Sequence, residues 1–278
     1  MGAASVDVSA VSVLETCGPP APSPAPGLRL PGRRPGRRSG RRSAAISELT
    51  LLSVLFGLYE LVRTLADANL RSAWGNAYAV LHFEQSWHLP GELTLQQYLL
   101  AAPWLVEVAN GYYAWVHFPA TAAFLVWAFV ARPLHYPTLR SWLVLVTAAA
   151  TIGHLLFPLA PPRMMSHFGF VDTAARYGPA VYSEPDVASI ANQYAAMPSL
   201  HVAWAVVVGG GLMMLTRSRW RWLWLVHPVI TVLVVVATAN HYWIDAIVAV
   251  ALLALCWPVV AWLRRRRLSA ETLAVAAG

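Results

Sequence analysis

From residue 47 to residue 263 the chain alternates long apolar runs with short polar breaks. A bilayer core needs about 20 apolar residues of helix to cross it. The runs at about 47–66, 110–131, 139–159, 198–216, 221–238 and 241–263 meet that requirement and predict six transmembrane helices. The first carries Glu60 and Arg63, spaced so that each neutralises the other inside the span. The fifth holds Pro228, which predicts a kink. Between the first two, residues 67–109 show helical pieces yet are too polar to span. They are expected to lie along the membrane interface, with Trp74, Trp87 and Trp104 at headgroup level.

Residues 1–45 break the pattern. They are rich in Ala, Pro, Gly, Ser and Arg with almost no aromatic residue, so they bury too little apolar surface to order themselves and are expected to form a disordered tail. The organisation expected is an all-α integral membrane protein: the tail, a six-helix membrane domain over 46–263 with interfacial helices between helices 1 and 2, and a basic C-terminal tail over 264–278.

Composition agrees. At 278 residues, 58% hydrophobic and 12% charged, the chain has more apolar surface than one soluble core of this size hides. The net charge of +7 comes from arginine alone, since there is no lysine. The arginines cluster beside apolar runs, as membrane anchoring predicts, which argues against a nucleic-acid partner. If the tail is cytoplasmic, every arginine except Arg63, Arg71, Arg163 and Arg176 falls on the inner side, so both termini are expected in the cytoplasm. An arginine-only basic set also points to a bacterial plasma membrane. Cys17 and Cys256 have neither disulfide nor metal-ligand spacing.

With that topology the polar chemistry collects at the outer helix ends. Asn240 is a good N-cap for the sixth helix, and His241 then stands in its first turn with Asp245 four residues on, on the same face. A carboxylate there can accept the imidazole N–H, fix the tautomer and leave the other ring nitrogen as base or nucleophile. The alternative is a buried pair that only ties helices together. At the start of the fourth helix, Pro198 suits the first helical position, and the free N–H groups of Ser199 and its neighbours offer an anion seat. His201 on that turn is a candidate general acid, although a lone interfacial histidine is the plainer reading. Arg163 follows Pro161-Pro162, whose rigidity aims the guanidinium at phosphate or at lipid headgroups. His117 and His154 are further candidates to approach the site; His82, His88, His135, His167 and His227 are read as interfacial or packing residues. A zinc site lacks a third strong ligand near His241-x3-Asp245, so no metal or cofactor is expected.

These segments, Phe157-Pro158-Leu159-Ala160-Pro161-Pro162-Arg163-Met164, Pro198-Ser199-Leu200-His201 and Asn240-His241-Tyr242-Trp243-Ile244-Asp245, resemble the type 2 phosphatidic acid phosphatase superfamily. More narrowly, they are similar to the branch holding inositol phosphorylceramide synthase and its bacterial relatives. The resemblance covers roughly residues 50–263. It implies a six-helix bundle and metal-independent transfer of a phosphoryl or phospho-headgroup. It also implies that His241 is the nucleophile, that Asp245 orients it, that His201 protonates the leaving alcohol and later activates the acceptor, and that Ser199 and Arg163 hold phosphate oxygens. The Lys-x6-Arg-Pro element of the phosphatase branch is absent, and its Ser-Arg pair would fall on Val234 and Val235, as in the synthase-like branch.

The function expected is therefore a lipid-phosphate phosphatase or phosphotransferase working through a phosphohistidine at the extracytoplasmic face, with a phosphorylated lipid and the bilayer as partners. An inositolphosphotransferase-type headgroup transferase is the alternative. A lipid transporter or flippase is the reading from another class, but the inner halves of helices four and six, Val206-Val207-Val208-Gly209 and Val248-Ala249-Val250-Ala251, carry no polar relay. The sequence assigns no oligomeric state.

Overall fold

A computed structural model describes residues 45–51, 53, 54, 57, 70–179 and 193–276. The expected disordered tail, and Glu60 and Arg63 of the first expected span, lie outside the described residues. The chain divides into Met1–Thr50 and Leu51–Gly278, and the elements below all belong to the second unit. They are α1 (Leu70–Ser86), α2 (Glu92–Leu100), α3 (Pro103–Trp115), α4 (His117–Ala131), α5 (Tyr136–Leu156), α6 (Thr173–Tyr177), α7 (Leu200–Leu215), α8 (Val226–Ala237) and α9 (Trp243–Ala276), with short 3-10 turns at Pro162–Met164, Ser166–Phe168 and Arg219–Leu225.

Among the described residues, Tyr136–Leu156, Arg219–Ala237 and Trp243–Ala270 are long and apolar enough to cross a membrane. The α3–α4 pair, bent by 45°, makes a fourth if it counts as one span. Helix α7 has only 16 residues, shorter than a full crossing. Among the described residues the fold is thus all-helical with three to four candidate spans, and most of the first expected span lies outside them.

The differences have local causes. The second span was expected at 110–131, but helix begins at Pro103 and bends between Trp115 and His117. Pro119 lies four residues beyond Trp115 and has no N–H to donate to its carbonyl, which breaks the helical ladder at the bend. Pro228 does not kink a continuous helix. It stands in the first turn of α8, just past a 3-10 segment, where a missing N–H is harmless. The basic stretch after residue 263 continues α9 through Ala276.

The core of the bundle lies between α5, α7, α8 and α9, where Val146, Val202, Ala203, Val207, Val235, Ala246, Ala249 and Leu253 are buried. Small residues set the spacing, as in lipid, where close backbone approach replaces the hydrophobic drive. A Cβ on Gly209 would stand 2.7 Å from both the Pro228 ring and the Trp224 carbonyl, so α7 and α8 approach to a distance only glycine permits. A second cluster sits at the end of the bundle where α5 and α8 finish and α7 and α9 begin. There Ala73, Ala77, Val80 and Leu81 of α1 pack on Leu159, Ala160, Met165, Ala239 and Tyr242. Backbone and side-chain bonds join the same parts: Ala160 N–H donates to Ala73 O (3.2 Å), and the Asn76 amide to Pro158 O (2.8 Å).

Candidate active site

His241 owes its position to the way α8 ends. Ala239 N–H donates to Val236 O (2.9 Å) and Asn240 N–H to Val235 O (3.0 Å), which is the paired closure of a Schellman turn. Ala239 takes the left-handed conformation that closure requires (φ 57°), without being glycine. His241 N–H also reaches Val235 O (3.0 Å), so the chain doubles back and presents the imidazole before α9 begins. Asn240 is therefore not the N-cap expected of it. Its backbone closes α8, and its side chain donates to Thr238 Oγ1 (2.8 Å). Nor does His241 lie in a helical turn, because α9 starts two residues later at Trp243.

Asp245 supplies the missing cap from within. In the first turn of α9, it reaches back so that Oδ2 accepts from Tyr242 N–H (2.9 Å), the inward half of a capping box. The same oxygen lies 3.2 Å from His241 Nδ1, and Asp245 is fully buried. His241 Nδ1 also meets Ala196 O at 2.9 Å. A carbonyl only accepts, so the Nδ1 position carries the proton and Nε2 is left with its lone pair. Burial lowers the His241 pKa to about 4, with the Ala196 carbonyl pulling the other way and the Arg163 charge adding to the depression. The imidazole is neutral at pH 7, as a nucleophile has to be.

Helix α7 brings His201. Its N-cap is Ser199, whose Oγ accepts from Val202 N–H at 3.4 Å. Pro198 precedes the cap instead of occupying the first helical position, and Ser199 N–H is not free for an anion, because it donates to Asp245 O (3.2 Å). That bond ties the two site helices together. Leu200 and His201 supply the N–H groups left at this end of α7. A Cβ on Gly153 would lie 2.8 Å from the Pro198 ring, so α5 seats this turn against bare backbone, and His154 Nε2 lies 3.0 Å from Pro198 O.

The His201 ring stands 5.8 Å from that of His241, centroid to centroid. On its other sides it stacks on Tyr113 (4.4 Å) and meets His117 (4.5 Å), which in turn stacks on Trp204 (5.2 Å). His117 and His154, flagged only as candidates, are thus both beside the seat.

Arg163 is buried on the 3-10 turn Pro162–Met164, and its backbone N–H donates to Ala239 O (2.8 Å). Its Nη1 pairs with Asp172 Oδ2 at 3.0 Å. Asp172 also caps α6, its Oδ1 accepting from Ala175 N–H (3.0 Å). The frame behind this pair is polar and buried: Gln96 exchanges two hydrogen bonds with the Val171 backbone, and Asn110 holds Thr173 O and Gly178 O. Arg176 stacks over Tyr177.

The structure thus brings His241, Asp245, Ser199 and His201 to one end of the bundle, with Arg163 anchored two residues before His241 and electrostatically coupled to it. Asp172, Glu84, Glu92 and Tyr242 were missed by the sequence reading. Only Asp172 carried a local signal, as a cap residue ahead of a short helix; Tyr242 is known by its contacts, donating to Ala160 O and Met165 Sδ at 3.1 Å each. Among the described residues, no three His, Cys, Asp or Glu side chains converge as metal ligands do.

A buried His–Asp pair faces a second histidine across the ends of apolar helices, which are the mark of a membrane protein. The family follows from comparison: the model described as PAP2 superfamily matches residues 78–259, and the chain belongs to that superfamily, whose members are of the phosphatase type. No curated protein and no solved structure gives a significant match.

Proposed function

We propose that this protein is a membrane phosphatase or phosphotransferase that acts on a phosphorylated lipid through a phosphohistidine on His241. The observation that carries the reading is the His241 ring. Its Nδ1 is committed to Ala196 O and Asp245, its Nε2 is unprotonated, and it is buried beside the Arg163 charge.

In the first half-reaction, Nε2 of His241 attacks phosphorus and the bond from phosphorus to the lipid oxygen breaks. His201, favoured in its protonated form once the anionic phosphate lies beside it, gives its proton to that oxygen and becomes neutral, and the positive charge arising on the His241 ring is shared through Nδ1–H with Asp245. In the second, neutral His201 takes a proton from water or an alcohol, whose oxygen attacks phosphorus as the N–P bond breaks. Arg163 and the N–H groups of Leu200 and His201 face the charge that develops on the phosphoryl oxygens. The Asp172 pair holds the guanidinium in one orientation.

The arrangement also supports six spans with an extracytoplasmic site. From Trp243 to Arg264, α9 rises about 30 Å, the thickness of a bilayer core, so the arginines of 264–267 stand one membrane away from His241. Arg132 joins the same far end, its guanidinium donating to Leu215 O at the end of α7. The positive-inside rule then puts the site outside, both termini inside, and α1 and α2 at the outer interface.

Transfer to an alcohol is favoured as a second reading by Val234 and Val235. They take the positions of two phosphate ligands of the phosphatase branch, and Val235 is buried with its carbonyl closing the α8 turn. Purified protein given a labelled lipid phosphate, with and without inositol or glycerol, separates the two. Hydrolysis releases inorganic phosphate in both conditions, whereas transfer makes inositol phosphate or glycerol phosphate only with the alcohol. Loss of both products in His241→Ala is expected, and full turnover by that variant refutes the reading.

A further inference from the structure

The first N–H groups of a helix have no partner within it. At α9 they are met by carboxylates from elsewhere in the chain. Ile244 N–H donates to Glu84 Oε1 at 2.7 Å, and Trp243 N–H lies 3.5 Å from Glu92 Oε1. The Trp243 indole N–H donates to Pro90 O at 2.7 Å. Glu84, at the end of α1, and Glu92, at the start of α2, are 2% and 3% exposed. Two buried carboxyls side by side are costly unless they are tied to donors. Here the donors are the backbone of the residues immediately before Asp245.

We propose that Glu84 and Glu92 are positioning residues for the His241–Asp245 pair: the α1–α2 turn grips the N-terminus of α9 and so sets where the imidazole stands. The inference rests on the reading of His241 as the reacting group. The chain of contacts is short. Glu84 fixes Ile244, the next residue is Asp245, and Asp245 fixes both Tyr242 N–H and His241 Nδ1. A shift of α9 along its axis moves all of these and also the Asp245 carbonyl on which Ser199 N–H rests.

Burial, and after it the contact and charge of Glu92, push the Glu84 carboxyl up to about 9, against the opposing pull of Ile244 N–H. Glu84 is therefore protonated at neutral pH, and glutamine at this position keeps its shape, its acceptor and its neutrality. Alanine keeps none of them. A cavity of about 110 Å³ lined by Glu84, Gln85, Gly91 and Glu92 adjoins the pair, so in Glu84→Ala water can satisfy Ile244 N–H without holding it in place.

The test compares Glu84→Ala and Glu84→Gln in the full chain, reading kcat, KM and the ring nitrogen resonances of His241, assigned with His241→Ala. Glu84→Ala is expected to lose ~10–100-fold in kcat, the scale of a small misplacement of a reacting group, with KM little changed and the His241 resonances shifted. Glu84→Gln is expected to match wild type in all three. Glu84→Leu fills the volume without an acceptor, and gives the same comparison should the alanine variant not fold. Unshifted His241 resonances in Glu84→Ala or Glu84→Leu, or a Glu84→Gln as impaired as they are, overturn the proposal. Wild-type protein without turnover overturns the functional reading alone, since the ring resonances still report on the positioning.

Discussion

Asp245→Asn isolates what the carboxylate does for His241. One oxygen of the side chain faces two donors, Tyr242 N–H at 2.9 Å and His241 Nδ1–H at 3.2 Å. An asparagine can satisfy both only with its carbonyl oxygen in that place, since an amide NH2 would oppose the Tyr242 N–H. The tautomer is held independently by Ala196 O at 2.9 Å. The substitution therefore leaves the ring oriented and removes only the negative charge behind the imidazolium that forms when His241 attacks. Hydrogen bonds to charged groups contribute about 1.5–3 kcal/mol against about 1 kcal/mol for neutral ones. The contact is long, so a loss of about 1–2 kcal/mol in the transition state is expected, roughly a 5–30-fold fall in the rate of phosphoryl transfer to the enzyme. Where an aspartate alone dictates the tautomer, the corresponding substitution costs about 10⁴-fold. Single-turnover assays with labelled lipid phosphate measure this step directly. A loss near 10⁴-fold would show that Ala196 O does not fix the ring, and no loss would show that the imidazole gains no charge; either refutes the reasoning.

Gly153→Ala places a Cβ 2.8 Å from the Pro198 ring, and overpacking of this kind costs about 1–3 kcal/mol, so lower thermal stability in detergent and reduced turnover are expected together. Ala239→Gly relieves a left-handed alanine (φ 57°) and is expected to raise stability by about 0.5–1 kcal/mol, read by the same melting measurement; a lower melting temperature contradicts the account of the α8 turn. Because burial lowers the His241 pKa to about 4, protonation removes the nucleophile only below that pH. Its acid limb in kcat/KM, which reports the free enzyme, should fall near 4, and a limb near 6.5 titrating on this residue contradicts the burial argument.

The site residues were legible because their chemistry conflicts with their surroundings: His201 and Asp245 each interrupt an apolar run. Their geometry was less so. Local capping rules assigned Asn240 and Pro198 to helix starts. Asn240, however, closes the preceding helix, and Pro198 precedes the serine that caps the next. The place of Pro198 was decided by contacts with distant segments, Asp245 with Ser199 and Gly153 with Pro198, which no window of sequence displays, whereas Asn240 is held by Val235 of the helix it closes. The bend at Trp115 was readable from Pro119 but was masked by the uniform hydrophobicity of 110–131. Glu84, Glu92, Gln96 and Asn110 look like ordinary polar residues of a surface helix, and they are buried because the backbone they serve lies elsewhere in the chain. Apolar length proved the blunt part of the reading, since α7 has the right composition but only 16 residues.

The most direct test of the central claim is to quench the protein during turnover of a phosphorus-labelled lipid phosphate and map any covalent label by mass spectrometry. The account predicts an acid-labile, alkali-stable phosphoramidate on His241, absent from His241→Ala and formed more slowly in His201→Ala, where the first half-reaction lacks its acid. Turnover with no label on His241, or label that persists when His241 is replaced, contradicts it.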